Sequence, residues 1–320
     1  MPDVRLARVA PRIIDATGRY SSPLNGVVRT VSRPGDRWGM RLDYENLQDQ
    51  DRARMEAFVL QLRGAANRAI LGPRDWKQRG SFDTAELAPN NSFNLGTNNW
   101  TATGATFTAA DRIARVANSG AAAGRITSDA ITIVSGQSYA VRALSIPGNV
   151  SNWKFAVGTT AGASDYIAST PTNQDQLATS TFTASGTVAY ISLYCNTSVS
   201  GDFVYFSLVS LTRCGLVNGG AQTGSVIKCD AMGASGTSVL LPGDWVSIGG
   251  ELKRVTVPLD VNSSNAYISV SPPMRTSPGD NTPVINKYPT GRFIMSGNES
   301  GWQTEPGRFA TSSFDLVEAV

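Results

Sequence analysis

Charge nearly vanishes from the middle of this sequence. Residues 90–214 hold 6 Lys/Arg and 5 Asp/Glu with no Glu, whereas residues 1–89 hold 15 and 11 and residues 215–320 hold 7 and 9. The middle is crowded instead with Thr, Ser, Ala, Gly and Asn. Such material, punctuated by aromatics and turn residues, suits strands buried on one face and predicts a β-sandwich. The alternation agrees. Tyr139, Val141 and Ala143 fall on one face of a strand, and in VAYISLYC the residues Val188, Tyr190, Ser192 and Tyr194 oppose Ala189, Ile191, Leu193 and Cys195. DFVYFSLVSL repeats the pattern, with Phe203, Tyr205 and Val209 against Val204, Phe206 and Leu208. The turn at Ser200-Gly201 predicts that these two runs pair as a hairpin.

The flanks read differently. RWGMRLDYENL alternates, with Trp38, Met40, Leu42 and Tyr44 on one side, and runs into DRARMEAFVLQLRG, where Met55, Phe58, Val59 and Leu62 follow the spacing of a buried helical stripe. Asp49 or Asp51 is placed to cap the first amides, and Gly64 to end the helix in the left-handed conformation. ANRAILGPRD then reads as a short strand. Beyond residue 215, GDWVSIGGELKRVTV predicts two strands turning on Gly249-Gly250. In AYISVSPPMR, Pro272 and Pro273 require the strand to stop or to lie at an edge. Two more strands are expected around Phe293 to Met295 and Phe314 to Val317.

Neither flank holds a complete set of layers, so the two are expected to fold together, with the middle inserted in a surface loop between linkers at 86–92 and 212–220. The expected fold class is mainly β: a split β-barrel or sandwich domain with one α-helix, from residues 1–89 and 215–320, plus an inserted β-sandwich at 90–214.

The sequence contains no His, which removes Ser-His-Asp and Cys-His catalysis, HExxH zinc sites and imidazole proton shuttles. Hydrolysis by paired carboxylates survives that cut. The middle offers Asp111, Asp129, Asp165, Asp175 and Asp202, with no pair set apart by spacing or apolar surroundings, so the reading is of a protein that is not an enzyme and carries no cofactor or metal. Cys195, Cys214 and Cys229 match no zinc or redox spacing; buried free thiols are expected, with a Cys195 to Cys214 bridge open if their strands are neighbours. A dispersed net charge of +3 argues against nucleic acid as a partner. There is no apolar run of membrane-spanning length and no apolar signal core near the N-terminus, which predicts cytoplasmic synthesis without membrane insertion.

WGMRLDYENL, the helix ending FVLQLRG, ANRAILG, and after the gap PGDWVSIGGELKRVT, SPPMR and ESGWQTEPGRFATSSFDLVEA resemble, in that order, the distal tail proteins of long-tailed bacteriophages. The similarity covers most of residues 30–85 and 220–318. It implies a tail-tube-like flanking fold that assembles with itself as a hexameric ring in the virion's tail tip, with the tail tube protein, the baseplate hub and other tail-tip proteins as neighbours. Exposed strand edges suit ring contacts, and Arg33, Arg37, Arg52 and Arg54 are either part of them or solvated surface.

NSFNLGTNNWTATGATFTAADRIARVANSG, GQSYAVRALS and GDFVYFSLVSLTRC are similar to jelly-roll carbohydrate-binding modules. Asn94, Ser207 and Leu208 stand where that family often has acidic residues, leaving few hard oxygen ligands for the calcium it often holds. The resemblance implies binding of host cell-surface polysaccharide, the apolar face of a sugar lying on an aromatic ring while polar groups take its hydroxyls. Trp100, Trp153, Tyr166 and Tyr194 are the candidate aromatics, with Asn152, Asp165 and Arg142 as hydrogen-bonding companions. For Trp100 and Tyr194 core packing is the competing role; Trp153 and Tyr166 sit among polar, turn-rich neighbours that favour exposure. A stand-alone carbohydrate-binding adhesin is the alternative to a tail-tip protein.

Overall fold

The structure is a computed structural model describing residues 7–31, 35–74, 76–82, 85–120, 122–168, 177–233, 236–261, 266–298, 301–305 and 309–319. Arg33 and Asp175 lie outside the described residues. The chain divides into two compact units, the first from residues 1–82, 217–230 and 234–320, the second from residues 83–216 and 231–233. The fold is mainly β, with one helix among the described residues.

The first unit is built from both ends of the chain. Its antiparallel sheet runs in the order Arg8–Ile14, Arg37–Leu47, Phe309–Glu318, Gly291–Met295, Ala69–Leu71, with Gln303–Glu305 also pairing with Phe309–Glu318. The strand period of two turns Trp38, Met40, Leu42 and Tyr44 to one side, where they share a buried core with Met55, Val59 and Leu62 of the helix Asp49–Leu62. Trp245, Phe293, Phe314 and Leu316 complete that core, and Phe58 packs against it. Leu47 ends the strand and Asp49 opens the helix, so the chain turns at Asn46 and Asp49, both at positive φ, and no carboxylate is left outside the first turn to cap it. Gln48 stands at the cap position without a side-chain bond. Arg63 and Gly64, at φ 48° and 65°, both stand in the left-handed region where the helix closes, and the Arg63 N–H donates to the Leu60 carbonyl. Arg52 and Arg54 pair with Glu56 and Asp51 of their own helix.

A closed barrel follows the order Gly215–Val217, Gly224–Asp230, Ala266–Met274, Glu251–Val255, Trp245–Ile248, Pro283–Ile285. Ile248 pairs with Glu251 across Gly249 and Gly250, whose φ values of 60° and 85° make the tight turn expected of two glycines. Pro272 and Pro273 do not end their strand or place it at an edge. Ala266–Met274 runs through both inside the barrel, because its register against Gly224–Asp230 slips between Gly224 and Val226 and the prolines fall in that irregularity, where no ladder donor is needed.

Four charges are sequestered beside this barrel. Lys253 Nζ donates to Glu251 Oε2 at 2.6 Å and to the Pro273 carbonyl at 3.1 Å, and Arg275 Nη2 donates to Glu318 Oε2 at 3.0 Å. The backbone amides of Thr276 and Leu252 donate to Glu251 and Glu318, so the last strand of the sheet is tied to the barrel through its carboxylate. By contrast, Gly18–Ser21 and Val28–Val31 pair with each other alone among the described residues, leaving Tyr20, Leu24, Val28 and Val31 exposed.

The second unit is a sandwich of two sheets. One has the order Ile167–Ala168, Trp153–Gly158, Val188–Cys195, Gly124–Ser128, Trp100–Thr103, with Ile131–Thr132 also on Val188–Cys195. The other has the order Leu177–Thr183, Ser138–Pro147, Phe203–Arg213, Ile113–Asn118, Ala105–Ala110. The hairpin expected between Val188–Cys195 and Phe203–Arg213 does not form: each is a central strand of its own sheet, and the turn at Ser200-Gly201 carries the chain across the sandwich. Two apolar strands facing each other across a core bury more than two lying side by side, since each also gains a ladder partner on either edge. A bulge at Ser207, between the pairs Ser145 with Phe206 and Leu144 with Leu208, moves the inward set from Val204 and Phe206 to Val209 and Leu211. Cys195, Cys214 and Cys229 are free and buried, and burial pushes their thiols up to about 11, about 12 and about 12.

Candidate functional site

Ala189, Ile191, Leu193 and Cys195 enter the sandwich core, so Tyr190, Ser192 and Tyr194 face outward from the same strand. The register places Lys154 on one side of Tyr194 and Arg125 on the other, with Thr103 beyond Arg125. The next row is Ala156, Ser192, Thr127, Thr101, in which the Thr127 and Ser192 hydroxyls lie 3.0 Å apart. A depression of about 400 Å³ opens over this outer face, lined by Thr101, Thr103, Arg125, Thr127, Asp129 and Tyr190, with Ala161 entering from the loop that follows Gly158.

That loop is held in shape by Asp165, whose two carboxylate oxygens accept the Thr159 N–H at 3.0 and 3.2 Å, a bond that also holds the carboxyl below the usual range. Gly162, at φ 83°, sits against the Arg125 guanidinium so closely that a Cβ there would lie 2.5 Å from Nη2. Its carbonyl accepts the Tyr194 hydroxyl at 3.2 Å. Lys154 Nζ and Arg125 Cζ approach the Tyr194 ring to 4.8 and 5.8 Å from its centre.

Two of the seven residues singled out from the sequence belong here: Tyr194 lies in the face, largely covered by its neighbours, and Asp165 staples the adjoining loop. The others lie elsewhere. Trp153 is 1% exposed, edge-on to Phe206 in the core; its polar neighbours precede the strand, and inside it Trp153 alternates inward with Phe155 and Val157. Trp100 is buried beside Phe93 and donates its Nε1–H to the Pro89 carbonyl. Tyr166 stacks on Phe182 at 4.7 Å, and its hydroxyl accepts the Gly186 N–H. Asn152 accepts from the Asn196 amide and side chain, joining two loops. Arg142 is buried on the other sheet, opposite Ser210 and out of phase with the inward Val141 and Ala143.

Tyr190, Arg125 and the three threonines are the residues that the sequence reading left out of the site. Alternation within VAYISLYC already set Tyr190 on the face of Tyr194, whereas the threonines are indistinguishable from the many others nearby. Of the carboxylates, Asp129 alone among the described residues lines the depression, and it accepts from Asn99 Nδ2 at 3.2 Å. Asp202 accepts from Thr197 and Asn149 in a turn, and Asp111 sits in a turn at φ 51°.

No protein-family model matches this sequence, and no curated protein sequence matches it either. Among solved structures, the chain is similar to a CBM4 structure at 15% identity over 39% of this chain and 99% of that one, with a TM-score of 0.33. It is similar to the enzymatically active domain of tailspike protein 4 of bacteriophage CBA120 at 15% identity over 40% of this chain and 21% of that one, with a TM-score of 0.30. It is also similar to the N-terminal CBM22 tandem domain of Xyn10C from Paenibacillus barcinonensis, at 9% identity over 76% of this chain and 99% of that one, with a TM-score of 0.31.

Proposed function

We propose that the second unit binds glycan on the outer face of the sheet containing Val188–Cys195, and that the chain serves in attachment to a polysaccharide-coated surface. The observation that carries this reading is the convergence of Tyr190, Arg125 and a patch of threonine hydroxyls in one open depression on rigid strands. An aromatic ring takes the apolar face of a sugar, and hydroxyls and guanidinium take its oxygens. The test is affinity electrophoresis and a glycan array with the full chain. Tyr190→Ala is expected to weaken binding about tenfold or more, the loss typical of an aromatic anchor, while leaving the melting curve unchanged. Wild-type protein that retains no glycan in either assay would sink the reading.

A second reading, a hexameric ring of distal tail protein joining tail tube to baseplate hub, draws support from the hairpin of residues 18–31. Lone two-stranded hairpins are marginal in water, and this one exposes Tyr20, Leu24, Val28 and Val31, so a neighbouring copy would cover what this chain leaves bare. On this reading Leu24→Ser combined with Val31→Lys shifts the species seen by light scattering from oligomer to monomer. A wild-type protein that stays monomeric at high concentration argues against it.

A further inference from the structure

We infer that the ligand of this face is an acidic polysaccharide, one whose repeat carries a carboxylate or phosphodiester, recognised by Arg125 with Lys154 in support. The inference rests on the glycan-binding reading and specifies its substrate class. Arg125 is half-buried under the Gly162 loop, yet among the described residues its guanidinium donates no hydrogen bond and has no carboxylate within ion-pair distance, and its Nε is shielded from solvent without a partner. Lys154 likewise has no acidic partner among the described residues, and shares the Tyr194 ring with Arg125 from the strand on the other side. Two like charges on one ring, one of them partly desolvated, repel each other, and the ring's negative face offsets only part of that cost. The Arg125 guanidinium, pinned between a tyrosine and a glycine turn, gives up hydration that an anionic ligand restores. The planar fork matches carboxylate or phosphate oxygens, and Arg125 opens directly onto the depression beside Tyr190 and Thr103. Asp129, the carboxylate on the lining, is occupied by Asn99.

The test measures binding of the full chain to polygalacturonate, alginate and poly(glycerol phosphate), with fully methyl-esterified polygalacturonate and dextran as uncharged counterparts. The expected result is at least about tenfold tighter binding of an acidic polymer than of its uncharged counterpart, weakened by added salt. Preference for polygalacturonate or alginate identifies carboxylate as the recognised group, and preference for poly(glycerol phosphate) identifies phosphate. Arg125→Gln is expected to abolish that preference and Lys154→Gln to reduce it. Arg125→Lys, which keeps the charge and loses the fork, should fall between, with all three variants melting like wild type. Equal binding of charged and uncharged polymers, or a preference that survives both glutamine variants, overturns the acidic class. In that event, uncharged-polymer binding that Tyr190→Ala removes still upholds the glycan face. Absence of binding to every polymer tested, charged or uncharged, overturns both.

Discussion

Replacing Trp153 by alanine is expected to unfold the second unit, destabilising it by about 3–5 kcal/mol, the range for deleting a large aromatic from a close-packed core. The indole is 1% exposed, begins the strand Trp153–Gly158, stacks near Phe155 and meets Phe206 of the opposite sheet edge-on at 5.7 Å. It therefore bridges the two sheets, from the strand beside the central one of its own sheet to the central strand of the other. Urea unfolding followed by near-ultraviolet circular dichroism checks this, with Trp153→Phe as the milder companion. An alanine variant that unfolds at the wild-type midpoint would show that the indole is not structural. Any loss of ligand binding in Trp153→Ala reports unfolding, which is why Tyr190 is the residue to test for recognition.

Lys253→Met is the second large effect, expected to cost the first unit about 3–5 kcal/mol at neutral pH, because it strips the counter-charge from a buried carboxylate. Burial works to raise the Glu251 carboxyl, but Lys253 and the amides of Thr276 and Arg275 outweigh it and hold the group below its ordinary value of 4.5. A depressed carboxyl stabilises the fold at pH above its unfolded value, and that contribution is lost as pH falls through the folded one. Glu318 runs the other way, since burial raises its carboxyl against the pull of Lys253 and Arg275. It takes up a proton in the fold before it does so unfolded, so mild acidification just above 4.5 relieves a cost and adds stability. The wild-type first unit should therefore hold or gain stability on mild acidification and lose it in stronger acid as Glu251 titrates. Urea midpoints measured across this range, in wild type and Lys253→Met, check the prediction. Adding Glu251→Met to Lys253→Met should recover much of the loss, because it removes the stranded charge as well. A single variant as stable as wild type at neutral pH would overturn the account.

The sequence made the fold class readable where one side chain decides the outcome. Alternation in RWGMRLDYENL, the stripe Met55, Phe58, Val59 and Leu62, and the pair Gly249-Gly250 each act through local geometry, and each appears in the structure as read. What failed was non-local. Whether Val188–Cys195 and Phe203–Arg213 pair or face each other depends on which other strands are available to each, and no feature of either run carries that information. The prolines of Ala266–Met274 stay inside a strand for the same reason, since a register slip against a partner strand accommodates them. The candidate site suffered most. Arg125, Tyr190 and Thr101 are brought together by the register of three strands, and an aromatic in polar surroundings, Trp153, opens a strand whose inward phase claims it.

The central place of Phe309–Glu318 in its sheet, between Arg37–Leu47 and Gly291–Met295, sets a timetable for biosynthesis. The second unit can close while the ribosome is still translating, but Trp38, Met40 and Leu42 must wait, greasy side bare, until Phe309–Glu318 has been made. A message cut short before Phe309 thus yields a sound sandwich attached to an unfinished sheet, a natural target for chaperones and proteases.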